Sequence, residues 1–264
     1  MEAPSQTAAV HSSALVDPSA TVGEGTTVGP YAVVGPGVTL GAGCQIGAHV
    51  VLHAGTQVGR DVRIDDHATV GKQPMASPSS ATTDGRRQPP ARLGDRCLVG
   101  ASAVIYAGCT LAPRVLVADL ATLREDVTIG EGTIVGRGVA VENHCTVGAR
   151  CKLETNAYVT AYSEIEDWVF VAPGVLTSND NFMGRTEARK SQFRGAVVRR
   201  GARLGVGAVL LPGKEVGPDA VVAAGALLTR DAEGGQIYAG VSARPFRAVP
   251  PEQLLDQQGW PDAA

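Results

Sequence analysis

Eighteen residues separate Asp126 from His144, and another eighteen separate His144 from Tyr162. A carboxylate that fixes an imidazole's tautomer leaves the other ring nitrogen to take a proton from an incoming nucleophile. His144 is therefore the candidate general base, with Asp126 or the nearby Glu142 as the group that orients it. The same phase gathers Tyr106-Ala107-Gly108, Arg124-Glu125-Asp126, Glu142-Asn143-His144, Thr160-Ala161-Tyr162 and Ser178-Asn179-Asp180. A second cluster is cationic: Arg185, Arg189, Lys190, Arg194, Arg199, Arg200 and Arg203, against Glu187. Guanidinium forks suit phosphates and pyrophosphates, and without interleaved aromatics the segment does not read as a nucleic-acid surface. His49 and His67 also lie eighteen apart, whereas a catalytic metal needs three converging imidazoles and an open position. His53 is four residues from His49, at another point of the repeat, so no metal ligand is assigned.

What must position these groups is a period of six. From Val16 the steps run Val22, Val28, Val34, Leu40, Ile46, Leu52, Val58, Ile64 and Val70, all branched aliphatics. The ladder resumes at Leu93 and continues in phase to Val171, then runs again from Val198 to Leu228. Small residues such as Ala14, Ala20 and Ala32 sit two before a rung, and glycines such as Gly23, Gly29 and Gly41 sit one after. Six fits neither the 3.6 of a helix nor a hairpin alternation. It fits a short strand plus a turn, with two inward positions per hexad and a corner glycine supplying unusual backbone angles. Three hexads close a triangular coil of eighteen residues, and the rungs read here predict about ten stacked coils. An all-β chain follows, with 1–13 as lead-in, 14–231 as the β-helix and 232–264 as a C-terminal tail. Loops at 72–90 and 178–195 are expected to leave the polar edge that holds His144.

Composition agrees with this core. Hydrophobic residues are 44% but aromatics only 4%, so the interior must be small and aliphatic. Twenty-three basic against 26 acidic residues give no global pull toward nucleic acid. No apolar run approaches the roughly 18–20 residues of a membrane span, and no charged n-region precedes an apolar stretch, so a cytoplasmic setting is expected. Cys44, Cys97, Cys109, Cys145 and Cys151 all fall two before a rung. They read as compact core residues in a reducing compartment.

The ladder from Val16 to Leu228 resembles the hexapeptide-repeat family, which implies a left-handed parallel β-helix and a homotrimer. Leu211-Pro212-Gly213 and Val222-Ala223-Ala224-Gly225 resemble the last coils of its CoA-dependent acyltransferases, where backbone amides meet the pantetheine arm. Ala239-Gly240-Val241-Ser242-Ala243-Arg244 resembles the family's Gly-Asn-Pro-Ala-Lys/Arg tail, with Val241-Ser242 in place of Asn-Pro. The resemblance implies Ala224, Gly225, Arg244 and Arg247 for an acyl-CoA, acetyl-CoA in the first place. Val141-Glu142-Asn143, Thr155-Asn156-Ala157-Tyr158 and Thr177-Ser178-Asn179-Asp180-Asn181 look like the nucleotide-amino-sugar N-acyltransferases. That implies Glu142, Asn143, Tyr162, Asn179 and Asp180 around a nucleotide-linked amino sugar, and Arg124 of the polar edge and Arg185 of the cationic cluster are expected to bind the same substrate. Three other functions stand beside it: acylation of an amino acid or hydroxyl group, a metal hydrolyase similar to the γ-carbonic anhydrases, and a scaffold without activity.

Overall fold

A computed structural model of the chain describes residues 7–260. The chain is built of short strands, most of two residues, and its helical content among the described residues is three 3₁₀ turns at Glu187–Ser191, Pro251–Gln253 and Leu255–Gln257. Among the described residues no helix is long and apolar enough to cross a membrane. The chain divides after Gly138 into two compact units.

In the first unit the rungs stack in parallel register on three faces. Val10, Val28, Ile46, Ile64, Val99, Val117 and Val135 follow one another on the first. Val16, Val34, Leu52, Val70, Ile105 and Leu123 form the second. Val22, Leu40, Val58, Leu93, Leu111 and Ile129 form the third. The chain therefore re-enters after the 72–90 loop on the face it would have taken next. The second unit repeats the pattern. Leu153, Val171, Leu204, Val222 and Tyr238 share one face. Val141 and Val159, then Thr177, Leu210 and Leu228, lie on the next. Val147, Ile165, Val198 and Val216 lie on the third. Each unit is a stretch of parallel β-helix, because every coil covers the aliphatic layer that its neighbour would leave open.

The stack outruns the ten expected coils. A strand at Ala9–Val10 precedes Val16, and Gln236–Ala239 adds another beyond Leu228. Tyr238 stacks on Val222 after sixteen residues rather than eighteen, so a count by sixes steps past it. Arg244–Ala248 then returns antiparallel along Gln236–Ala239.

The glycines that follow the rungs do not supply the unusual backbone angles expected of them. Positive φ falls two residues later, on side chains as large as Tyr31, His49, Asp126, His144, Tyr162 and Trp168. What the earlier position needs is room: a Cβ at Gly23 would lie 2.5 Å from the Gly41 carbonyl carbon of the next coil. The residue between the two often carries an aspartate that caps the adjacent coil. Asp66 accepts from the Ala48 amide at 2.7 Å, Asp119 from Ala101 at 2.8 Å and Asp167 from Ala149 at 2.6 Å.

All five cysteines are free and buried, as their phase requires. Their thiols donate to backbone carbonyls, Cys109 to Arg124 at 2.9 Å and Cys151 to Glu166 at 3.0 Å. Burial pushes the thiols of Cys109 and Cys145 up to about 12. A thiol-reactive probe at pH 8 should therefore label none of the five in the native protein and all five after denaturation. Rapid native labelling at any of them would contradict this packing.

Candidate functional site

The two insertions leave their units from comparable places, just after Val70 in the first and Thr177 in the second. In the first unit the corner after Leu123 carries Arg124, Glu125 and Asp126. Glu125 is 1% exposed, and its charge is met by Arg124 Nε at 2.9 Å and by the Thr83 hydroxyl at 2.7 Å. Arg124 Nη2 also donates to Thr83 at 2.9 Å, and its guanidinium lies 5.0 Å from the Tyr106 ring centre. Lys72 covers the same ring at 5.4 Å. Leaving any member of so buried a charge pair alone is costly, so the cluster ties the 72–90 loop to the corner. Arg124, expected to hold substrate, thus has a structural task as well. Phase places Glu125 beside Arg124, but Thr83 and Lys72 come from the 72–90 insertion and carry no phase. Beside them, burial and the charge of Lys72 hold the His53 imidazole below its usual pKa.

In the second unit, Glu142, Asn143 and His144 follow Val141 at one corner, and Thr160, Ala161 and Tyr162 follow Val159 at the next. His144 and Tyr162 both take the left-handed conformation, with φ of 59° and 65°. Their side chains therefore leave the coil in the same direction, and the rings stack at 5.2 Å and 13°. Phe193, from the second loop, continues the column at 6.4 Å from Tyr162. Arg189 lies 5.5 Å over Phe193 and is held by Asp180 at 3.0 Å. Asp180 also accepts from the amides of Gly184 at 2.9 Å and Phe182 at 2.8 Å. The Gly184 amide is the main reason that its carboxyl is held below the usual carboxylate range. Asp180 is thereby an organiser of the loop, and the loop's aromatic cap sits on the column that carries the imidazole.

The other expected residues are placed as follows. Asp126 belongs to the first unit, third past Leu123, with φ of 60°. Asn143 is buried, Glu142 is half-buried, and the Asn179 carbonyl accepts from the Arg194 amide at 3.1 Å. Arg185 is exposed on the loop. The cationic run is broken up by carboxylates: Arg199 reaches Glu166 and Glu215 at 2.8 Å each, and Lys190 reaches Glu187 at 2.7 Å. Ala224 and Gly225 form an exposed corner where the Gly225 amide is bonded to the Val206 carbonyl at 2.8 Å. Arg244 and Arg247 are exposed on the returning strand.

Ring stacking at such corners is not peculiar to His144. Tyr31, His49 and His67 form the same kind of column in the first unit, with centroids 5.0 and 4.9 Å apart. The eighteen-residue pair of histidines is thus explained by parallel rings. Among the described residues no group of three or more His, Cys, Asp or Glu side chains could hold a metal ion. What sets His144 apart is the loop that docks over its column.

Two sequence-family matches agree with the ladder. The family described as bacterial transferase hexapeptide (six repeats) matches residues 19–54, and the hexapeptide repeat of succinyl-transferase matches 90–118. A putative serine acetyltransferase of Schizosaccharomyces pombe is 32% identical over 124 residues, or 47% of this chain. The match spans 44% of that relative's length. Among solved structures, the UDP-N-acetylglucosamine acyltransferase of Arabidopsis aligns over 96% of this chain and 78% of its own, with a TM-score of 0.53 and 17% identity. The corresponding protein of Bacteroides fragilis aligns over the same shares with a TM-score of 0.52 and 15% identity. At such identities the likeness is one of fold. Repeat and register make this chain a parallel β-helix of six-residue repeats, and two stretches of it are similar to hexapeptide-repeat transferase families.

Proposed function

We propose that the protein is an acyl-CoA-dependent N-acyltransferase, moving an acetyl group from acetyl-CoA to the amine of a nucleotide-linked amino sugar. The observation that carries this is the imidazole of His144 on a polar corner, stacked on Tyr162 beneath a loop that ends in Phe193. In the reaction the acceptor amine attacks the thioester carbonyl, a C–N bond forms and the C–S bond breaks. His144 takes the amine's proton and returns it to the departing thiolate. Within the second unit Glu142 orients the imidazole, Tyr162, Asn179 and Arg185 position the acceptor, and the buried Asn143 acts through the corner that it packs. Asp180 acts through the loop that it holds.

For the donor, the amide of Ala224 supports the reading. It stands on an exposed corner at the position where other coils receive an aspartate cap, and no aspartate meets it among the described residues. Arg244 and Arg247 would take the phosphates of the coenzyme. The names of the similar proteins, acetyl- and acyltransferases, support the same chemistry. The serine named in one of them favours a second acceptor class, an amino acid or hydroxyl group.

Assembly as a homotrimer is supported by one face of outward residues. In the first unit the outward row of the second face reads Leu15, Val33, Val51, Thr69, Val104 and Thr122, aliphatic at four of six positions, whereas that of the third reads Thr21, Thr39, Gln57, Arg92, Thr110 and Thr128. In the second unit Tyr158, Leu176, Val209 and Leu227 form the comparable apolar row. Exposed aliphatic rows of this kind are covered by partners, and a second and third copy would cover them. Five free thiols support a reducing, cytoplasmic setting.

Calorimetry with acetyl-CoA tests the donor, and mass analysis of a panel of amino-sugar nucleotides, amino acids and hydroxyl acceptors tests the rest. Micromolar binding and a one-acetyl mass gain on an amino-sugar nucleotide are expected. No binding of acetyl-CoA, with or without acceptor, would reduce the protein to a scaffold.

A further inference from the structure

The second unit holds a cavity of about 560 Å³ on a different face from His144, lined by Arg150, Lys152, Trp168, Phe170, Arg203 and Trp260 among others. Lys152, Phe170 and Arg203 stand outward on three successive strands in register, so their side chains form a row at the interstrand spacing. Trp168 leaves the neighbouring corner in the left-handed conformation, with φ of 62°. Its ring lies between the Arg150 guanidinium at 5.4 Å and the Trp260 ring at 5.2 Å. The segment that brings Trp260 is anchored: the buried Leu255 donates its amide to Asp219 at 3.0 Å, and Gln253 accepts from Arg203 Nη1 at 3.2 Å.

Arg203 is the decisive residue. Its Nε and Nη2 are buried and have no hydrogen-bond partner. Buried donors of a charged group are otherwise satisfied, so two open ones on one guanidinium edge ask for a ligand with two acceptor oxygens. Three cations line the cavity and no carboxylate does. The remaining wall is aromatic, and Trp260 keeps half of its surface exposed. Oxygen pairs on a planar, apolar body describe a nucleotide.

We infer that this cavity is a binding site for a nucleoside diphosphate, with the phosphates on Arg203 and Lys152 and the base against Phe170 and Trp260. It rests on none of the residues proposed for acyl transfer. The chain contains two tryptophans and both are here, so intrinsic tryptophan fluorescence reports on this cavity alone. Titration of the full chain with ADP should give a saturable fluorescence change, at least tenfold tighter than the change with inorganic pyrophosphate. Arg203→Gln and, at an exposed position that the fold does not need, Lys152→Gln should each weaken ADP tenfold or more. No fluorescence change, a change that neither substitution weakens, or ADP binding no tighter than pyrophosphate would overturn the assignment. The acetyl mass gain on an acceptor is a separate readout that this cavity cannot produce, so failure here and failure of the transferase proposal are told apart.

Discussion

His144→Phe is expected to lower kcat by about 10²–10⁴-fold, the range that removal of a positioned general base usually gives. The same variant should leave the midpoint of urea unfolding close to that of the parent. The choice of phenylalanine matters because His144 has two jobs that an alanine would abolish together. Its ring stacks on Tyr162, and its backbone takes a positive φ. Both Tyr31 and Trp168 take the same backbone conformation in this chain, so an aromatic ring is tolerated there. Phenylalanine keeps an aromatic ring for the stack and removes both ring nitrogens, the one that accepts a proton among them. If turnover survives at every pH while stability is unchanged, His144 is a packing ring like His49 and the general-base role is wrong. If both activity and stability collapse, Tyr162→Phe and Phe193→Ala locate the fault. The first removes a hydroxyl from the column, and the second removes the loop's cap and should raise KM more than it lowers kcat.

The repeat was legible because it is imposed by geometry at every coil. A strand whose inward residue is not a branched aliphatic leaves a void in the stack, so Val28, Ile46 and Ile64 announce a shared face before any coordinates exist. The same periodicity placed His144 and Tyr162 on one corner, and their rings do meet. Phase says which corner a residue occupies; it does not say what reaches that corner from an insertion. Thr83 on Glu125, Arg189 on Asp180 and Phe193 on Tyr162 all come from loops, where no six-residue rule applies. The cationic run is divided for the reverse reason. Adjacent arginines in sequence point to different faces, and Arg199 finds Glu166 and Glu215 on neighbouring strands, each 2.8 Å away. Arg203, unremarkable in that run, faces the aromatic cavity instead. The glycines show a similar confusion between two needs. One position past the rung demands a missing side chain, the third demands a left-handed backbone, and only the second is met by histidine or tyrosine.

Gly195→Val should cost roughly 1–3 kcal/mol of stability, the usual range for overfilling a packed site, and should also lower activity. Gly195 is buried at the point where the second loop rejoins the coil, and a side chain there would run into the backbone of Tyr162 and Ser163. Neither neighbour can move cheaply. The Ser163 hydroxyl donates to the Thr160 carbonyl at 2.7 Å and accepts from the Ala196 amide at 3.2 Å. Tyr162 carries the ring between His144 and Phe193. Relief of the clash must therefore lift the returning chain, and Phe193, two residues before Gly195, is lifted with it. The control is Gly184→Ala in the same loop, where φ is +83° but a Cβ would meet nothing within 4 Å. That change costs roughly 1–2 kcal/mol of backbone strain and should be confined to the loop. Urea unfolding followed by circular dichroism separates the two variants: the midpoint falls for Gly195→Val and hardly shifts for Gly184→Ala, whose strain is relieved by local opening. An unchanged midpoint for Gly195→Val would mean that the loop is not clamped to Tyr162, and the ring column would then lose its cap.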